Sequence, residues 1–181
     1  LLAQGVDRLT YVTFGDPPKR PQTLGHPYQF NSLVLDGIQR ALRTAGADPG
    51  TTLRVVLDTI DAPARPGLTA TLAAGFRGVI ALGDTRACKV YRAADEQGLT
   101  VGRDVLVCGY YDTHWAPLQQ PPLTSVNINE PELATTVARA VSEGWQGRTV
   151  RIPPALIGRE STGISSTHAV RRETVATGKE R

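Results

Sequence analysis

Two rhythms of apolar residues alternate along this chain. Residues 8–14 (Arg8-Leu-Thr-Tyr-Val-Thr-Phe14) are β-branched and aromatic, close at Gly15 and run into Pro17, Pro18 and Pro21, which predicts a strand followed by a loop. From Asn31, the apolar positions Val34, Ile38, Ala41, Leu42 and Ala45 recur at helical spacing, with Asn31 as the candidate cap and Gly46 as the stop. Residues 53–57 form a short apolar run, residues 67–74 are helix-like around Leu68 and Leu72, and residues 78–82 are an apolar strand closed by Gly83. Asp84 can cap a helix with Ala87, Val90, Tyr91 and Ala94 on one side and Gly98 at its end. Residues 104–108 form another strand, residues 121–127 are extended, Pro131 opens a helix striped by Leu133, Val137 and Val141 up to Gly144, and residues 150–157 are again extended. Residues from Ile164 onward are polar and aperiodic, which predicts a mobile tail over 164–181.

The strand runs are continuous, not alternating, and this is the mark of burial on both faces by crossover helices. The fold class expected is therefore α/β, a parallel sheet flanked by helices with right-handed connections and with ligands at the carboxyl ends of its strands.

Composition agrees with a soluble domain: 181 residues, 40% apolar and 20% charged. No stretch has the roughly 20 apolar residues of a membrane span, and residues 1–8 lack the order of a secretory signal, so a cytoplasmic protein without a membrane partner is expected. A formal charge of +3, scattered over the chain, makes no case for nucleic-acid binding by itself. The absence of methionine predicts a fragment of a longer protein. Cys88 and Cys108 match neither a CxxC pair nor a zinc spacing and read as reduced thiols. His26, His114 and His168 fit no metal motif, so no metal or cofactor is expected.

Five blocks, taken in register, resemble a known family: Gly78-Val-Ile-Ala-Leu-Gly-Asp84, Arg92-Ala-Ala-Asp-Glu-Gln-Gly98, Val101-Gly-Arg-Asp-Val-Leu-Val-Cys-Gly-Tyr-Tyr-Asp112, Pro121-Pro-Leu-Thr-Ser-Val126 and Arg159-Glu-Ser-Thr162. Their order and spacing are similar to the C-terminal half of the lac-repressor/galactose-repressor family of bacterial transcription regulators. The resemblance implies a type I periplasmic-binding-protein-like fold, mainly its C-terminal subdomain, with residues 1–163 as a partial effector-binding and dimerisation domain. Most of the first subdomain would be missing, the chain would start inside a helix, and residues 128–150 would cross back to the absent part. The partners implied are a small-molecule effector, a second copy in a homodimer, and DNA only through a missing N-terminal helix-turn-helix.

By the same resemblance the effector-binding positions are Val34, Ala62, Gly83, Asp84 and Tyr111. Val34 stands where an arginine is usual, Ala62 where an aromatic stacks, Gly83 where an asparagine precedes Asp84, and Tyr111 where an aspartate precedes Asp112. These departures imply a less charged, more apolar pocket and an effector outside the simple sugars. Asp84 reads equally as a helix cap or as a ligand contact. Tyr111 and Trp115 could also cover the core edge, Asp112 is expected to shape its loop, and Tyr111 and Gly83 are the positions favoured for lining the cleft.

Other strand-tip candidates are Asp16, Asp58 and Asp61. An enzyme is not expected: there is no GxSxG elbow, no GxGxxG after the first strand, and Gly178-Lys179 is followed by Glu180 in a context that lacks the phosphate-loop glycine. The alternatives are a solute-binding protein of a transport system, which shares the fold but needs export, and a module that only dimerises.

Overall fold

The computed structural model describes residues 1–14, 29–58 and 63–163. Strand β1 (Leu9–Thr13) is followed by α1 (Gln29–Thr44), the single turn α2 (Pro49–Thr52), β2 (Leu53–Leu57), α3 (Arg65–Ala73), β3 (Gly78–Ala81) and α4 (Asp84–Asp95). Then come β4 (Leu106–Tyr110), β5 (Thr124–Asn127), α5 (Glu130–Ser142) and β6 (Ala155–Ile157). Asp16, His26, Asp61, Ala62, His168 and the tail 164–181 lie outside the described residues.

The strands form one six-stranded sheet in the order β2-β1-β3-β4-β5-β6. All neighbours are parallel except β6, which runs antiparallel to β5. The chain leaves β1 through α1 towards β2 on one side, then returns through α3 past β1 to β3 on the other. The direction of winding thus reverses between β1 and β3.

Each face of the sheet has its own core. On one face Ile38 and Leu42 of α1 pack with Leu9, Tyr11, Leu53 and Leu82. On the other, Leu68 and Leu72 of α3 and Ala87, Val90 and Ala94 of α4 pack with Val12, Val56, Val79 and Val107. Burying each larger aliphatic side chain contributes about 1.5–3 kcal/mol, so the two layers are held chiefly by apolar burial. All five residues of β1 are buried, which explains its unbroken run of apolar and β-branched residues. Thr10 belongs there because its hydroxyl donates to Phe76 O at 3.1 Å. By contrast β2 is an edge strand, and its Arg54 and Val55 are exposed, so burial on both faces does not extend to this strand.

Several boundaries differ from the sequence-based expectations. Helix α1 begins at Gln29, ahead of Asn31, so Asn31 is not its cap; the side chain is buried and its Nδ2 donates to Phe14 O, tying the helix to the end of β1. Gly46 does stop α1: at φ 78° it donates to Arg43 O, and Ala47 N reaches back to Leu42 O. The turn α2 comes from Asp48, whose carboxylate accepts from Gly50 N ahead of Pro49 at the first helical position. Strand β4 starts two residues later than predicted because Asp104 is held in a turn, its carboxylate accepting from Thr100 N and pairing with Arg103.

No residue of α5 is buried. Leu133, Val137 and Val141 are 43%, 53% and 78% exposed, so the apolar stripe read from the sequence faces outward. The helix is launched by Asn129 at φ 59°, whose N–H donates to Asn127 Oδ1 at 2.7 Å.

Candidate functional site

In an open α/β sheet the crevice at the carboxyl ends of the strands is deepest where the winding reverses. Here that point lies between β1 and β3, and Phe14, Leu82 and Gly83 leave the sheet there. Gly83 sits at φ 105° and ψ 138°, a conformation open to glycine, and its carbonyl accepts from Arg86 N and Ala87 N to start α4. Gly83 is thus the cap position of α4, with Asp84 inside the first turn and making no side-chain cap. The reading of Asp84 as a cap is corrected by this geometry.

Asp84 instead points across the sheet. Its Oδ2 accepts from Thr113 N at 2.6 Å and from Thr113 Oγ1 at 2.8 Å, and its Oδ1 accepts from Ser125 Oγ at 2.6 Å. The carboxylate is 1% exposed, so these three donors replace its water. Ser125 Oγ in turn accepts from Asp112 N at 3.0 Å. Asp112 pairs with Arg159 at 2.8 Å and accepts from Asn127 Nδ2 at 3.1 Å, which gives it the loop-shaping position expected for it. Arg159 also donates to Leu123 O, Ser161 donates to Val107 O, and Thr124 N donates to Ser161 Oγ. The Arg159-Glu-Ser-Thr162 block therefore stitches the return segment onto β4 and β5.

Tyr111 stands on this frame at the tip of β4 with φ 91°, unusual for a bulky side chain. Its N–H extends the ladder to Val126 O at 2.8 Å, and its half-exposed ring meets Tyr110 edge-on at 5.0 Å. Val34 lies elsewhere: half-buried on α1, it lines a groove of about 520 Å³ with Ile38, Ile80, Cys108 and Val126. Burial pushes the Cys108 thiol up to about 12 and also raises that of Cys88, which favours the protonated thiol over the thiolate in both.

The structure also places at the switch point a cation that the sequence pattern did not single out. Arg86, in the first turn of α4, reaches over the strand ends: Nη1 donates to Leu82 O at 3.0 Å and the guanidinium lies 4.9 Å from the centre of the Phe14 ring. Its Nε faces Asp58 at 3.4 Å. Lys89, one turn further on, holds both Asp58 oxygens at 2.7 and 2.8 Å, and Ala64 N donates to the same carboxylate. Burial opposes the charge on Asp58, but the Lys89 hydrogen bond, the Ala64 amide and the two cations outweigh it and hold the carboxyl below its ordinary range. In the same region the buried Tyr11 and Thr13 hydroxyls lie close to each other and, like Asn31 Oδ1, have no other hydrogen-bond partner among the described residues. Burial pushes the Tyr11 phenol up to about 12, against the pull of the nearby Thr13 hydroxyl and the Arg86 charge.

Of the residues expected from the sequence, then, Gly83, Asp84 and Tyr111 stand at the strand ends, Val34 lines the groove beside α1, and Ala62 lies outside the described residues. The signal that could have found Arg86 is its place three residues after a glycine that closes an apolar strand, in the first turn of the following helix.

A periplasmic binding protein-like domain family matches residues 1–162. Among curated proteins, the chain is 33% identical over 88 residues to the lactose operon repressor of Escherichia coli (strain K12), covering 46% of this chain and 24% of that protein. It is also 33% identical over 93 residues to an HTH-type transcriptional regulator of Streptomyces limosus, covering 49% of this chain and 26% of that one. Solved structures of similar fold include the lac repressor bound to ONPG, with a TM-score of 0.69 at 23% identity over 89% of this chain and 47% of that one. A LacI family regulator from Enterococcus faecium with bound ribose aligns with a TM-score of 0.67 at 22% identity over 89% of this chain and 58% of its own. The chain thus spans about a quarter of the curated relatives and about half of the solved ones. With the family matched over nearly all the described residues and the mostly parallel sheet in place, this chain belongs to the periplasmic binding protein-like domain family.

Proposed function

We propose that this chain is the effector-sensing and dimerising part of a bacterial transcription regulator. In this reading the carboxyl ends of β1, β3 and β4 form one wall of a small-molecule cleft, lined by Gly83 and Tyr111, and the DNA-reading domain lies in residues outside this chain. The observation that carries it is the reversal of winding between β1 and β3, with Arg86, Phe14 and the strained Tyr111 grouped about those strand ends. The likeness to the lactose operon repressor, and to a solved regulator holding ribose, supports the same reading.

The mechanism is a population shift. Effector binds one closure of two subdomains better than the other, and that difference in affinity biases DNA binding without any bond being made or broken. In this reading the site binds and does not catalyse. Asp84, Ser125, Asp112 and Arg159 connect the wall of the cleft to the return segment, the link such a shift requires. A protein working on DNA in this way resides in the cytoplasm.

The test is made with the complete parent protein on DNA from its own promoter region, following binding by fluorescence anisotropy while metabolites are added. The expected result is specific DNA binding whose affinity changes about 5–150-fold with one metabolite. An exported parent that binds a solute and has no affinity for DNA would sink the proposal in favour of a solute-binding protein. Specific DNA binding that no metabolite alters, with dimerisation retained, would reduce the chain to a dimerising module.

A further inference from the structure

The departures from the family pattern remove an arginine from α1, where Val34 stands, and on sequence alone this predicts a pocket poor in charge. The folded chain brings a guanidinium to the strand ends from a different helix. Arg86 crosses from α4 to the ends of β1 and β3, where it is held by Leu82 O and by the face of Phe14.

Three observations bear on what that guanidinium is for. First, its charge is not fully matched among the described residues. Asp58 carries one negative charge and faces two cations; Lys89 grips both of its oxygens, and Arg86 Nε stands 3.4 Å away without a hydrogen bond. The other buried carboxylate nearby, Asp84, is turned away and satisfied by Thr113 and Ser125. Second, a guanidinium has five N–H donors in a fixed fork, and Leu82 O accepts from Nη1 alone among the described backbone groups. The Arg86 side chain is 23% exposed, with its Nε buried. Third, the Tyr11 and Thr13 hydroxyls, each 1% exposed, lie close to each other and have no other partner among the described residues. Buried hydroxyls are ordinarily paired, so two with no further partner beside the strand ends call for an explanation.

Resting on the sensor reading above, we infer that the effector carries an oxyanion, a carboxylate or a phosphate, which docks on the Arg86 fork at the β1/β3 switch point. Phe14 and Tyr111 supply the apolar surface for the rest of the molecule. Arg86 is then the residue that determines ligand class in this chain. The shared chemistry is planar or tetrahedral oxygen accepting two parallel N–H bonds, which lysine cannot reproduce.

The experiment uses the 181-residue chain and reads the arginine Nε–Hε signals in ¹H–¹⁵N spectra, which register weak binding to a single wall of a cleft. The probes are matched pairs: glucose 6-phosphate against glucose, and benzoate against benzyl alcohol, with inorganic phosphate alone as a further arm. The expected result is that the Arg86 signal moves with the anionic member of at least one pair and not with its neutral twin. Arg86→Gln should weaken that binding about tenfold or more, Arg86→Lys should recover only part of it, and Arg92→Gln, on the exposed side of the same helix, should leave it unchanged. The phosphate and benzoate arms tell which oxyanion is preferred. Equal movement of Arg86 and Arg92, or anion binding that survives in Arg86→Gln, would overturn the assignment. Binding of neutral probes alone, with perturbations at the strand ends, would overturn the oxyanion and uphold the sensor; no probe of either kind at those ends would count against both.

Discussion

The carboxylate of Asp84 occupies the space that a β-carbon at Gly109 would need. Gly109 lies on β4 between α4 and β5, so the absence of its side chain is what allows α4 to tie itself to Ser125 across the intervening strand. A β-carbon there would also press on the Leu123 methyl at 2.9 Å. Gly109→Ala should therefore destabilise the chain by about 1–3 kcal/mol, the usual penalty of overpacking. Urea unfolding measures it, and a change below about 0.5 kcal/mol would mean that the Asp84 side chain moves aside freely.

Asp84→Asn tests whether this residue acts through Thr113 and Ser125 and not as a cap. Asparagine caps a helix about as well as aspartate, so a capping role predicts almost no change. The three donors that meet the carboxylate predict otherwise: the introduced amide nitrogen opposes one of them, and a loss of about 1–3 kcal/mol is expected. Chemical denaturation reads the loss, with far-UV circular dichroism showing that the helices persist.

Asp58 should govern part of the acid sensitivity of the fold. Its native pKa lies below the ordinary value of 3.8, so the folded state favours the ionised form and the unfolded state takes up protons first. The resulting stability is present above the unfolded value and is lost as pH falls through the native one. Asp58→Asn should accordingly show a shallower fall in unfolding midpoint than the parent chain between about pH 5 and about pH 2. Parallel curves over that range would remove Asp58 from the account.

Replacing Leu133, Val137 and Val141 together by serine should change the unfolding free energy by no more than about 0.5 kcal/mol, since all three are exposed in α5. The same change should reduce self-association at high concentration, because a contiguous apolar stripe is removed. Sedimentation velocity follows the association, and a large loss of stability would show that the stripe packs within the chain.

Much of this architecture is legible in the sequence. Continuous apolar runs in β1 and β3 announced strands covered on both faces, and the spacing of Ile38 and Leu42, or of Ala87, Val90 and Ala94, announced the helices that cover them. Those features are local: a run of four or five apolar residues has few places to go other than a buried strand, and a glycine such as Gly46 or Gly98 can end a helix whatever surrounds it. The five motif blocks carried the family for the same reason, since each is a short element with its turn.

The site was less legible because its parts are brought together from afar. That Arg86 would lie over Phe14, that Lys89 would hold Asp58, and that Asp84 would turn from its own helix to Thr113 and Ser125 follows from the strand order β2-β1-β3-β4-β5 and its registers, not from any spacing along the chain. Sequence determined which segments are strands and helices and, for α1, α3 and α4, which faces they bury, because backbone geometry and apolar burial act over a few residues. Tertiary structure alone decided which charges meet at the strand tips, because a long side chain chooses its partner among neighbours that only the folded sheet supplies.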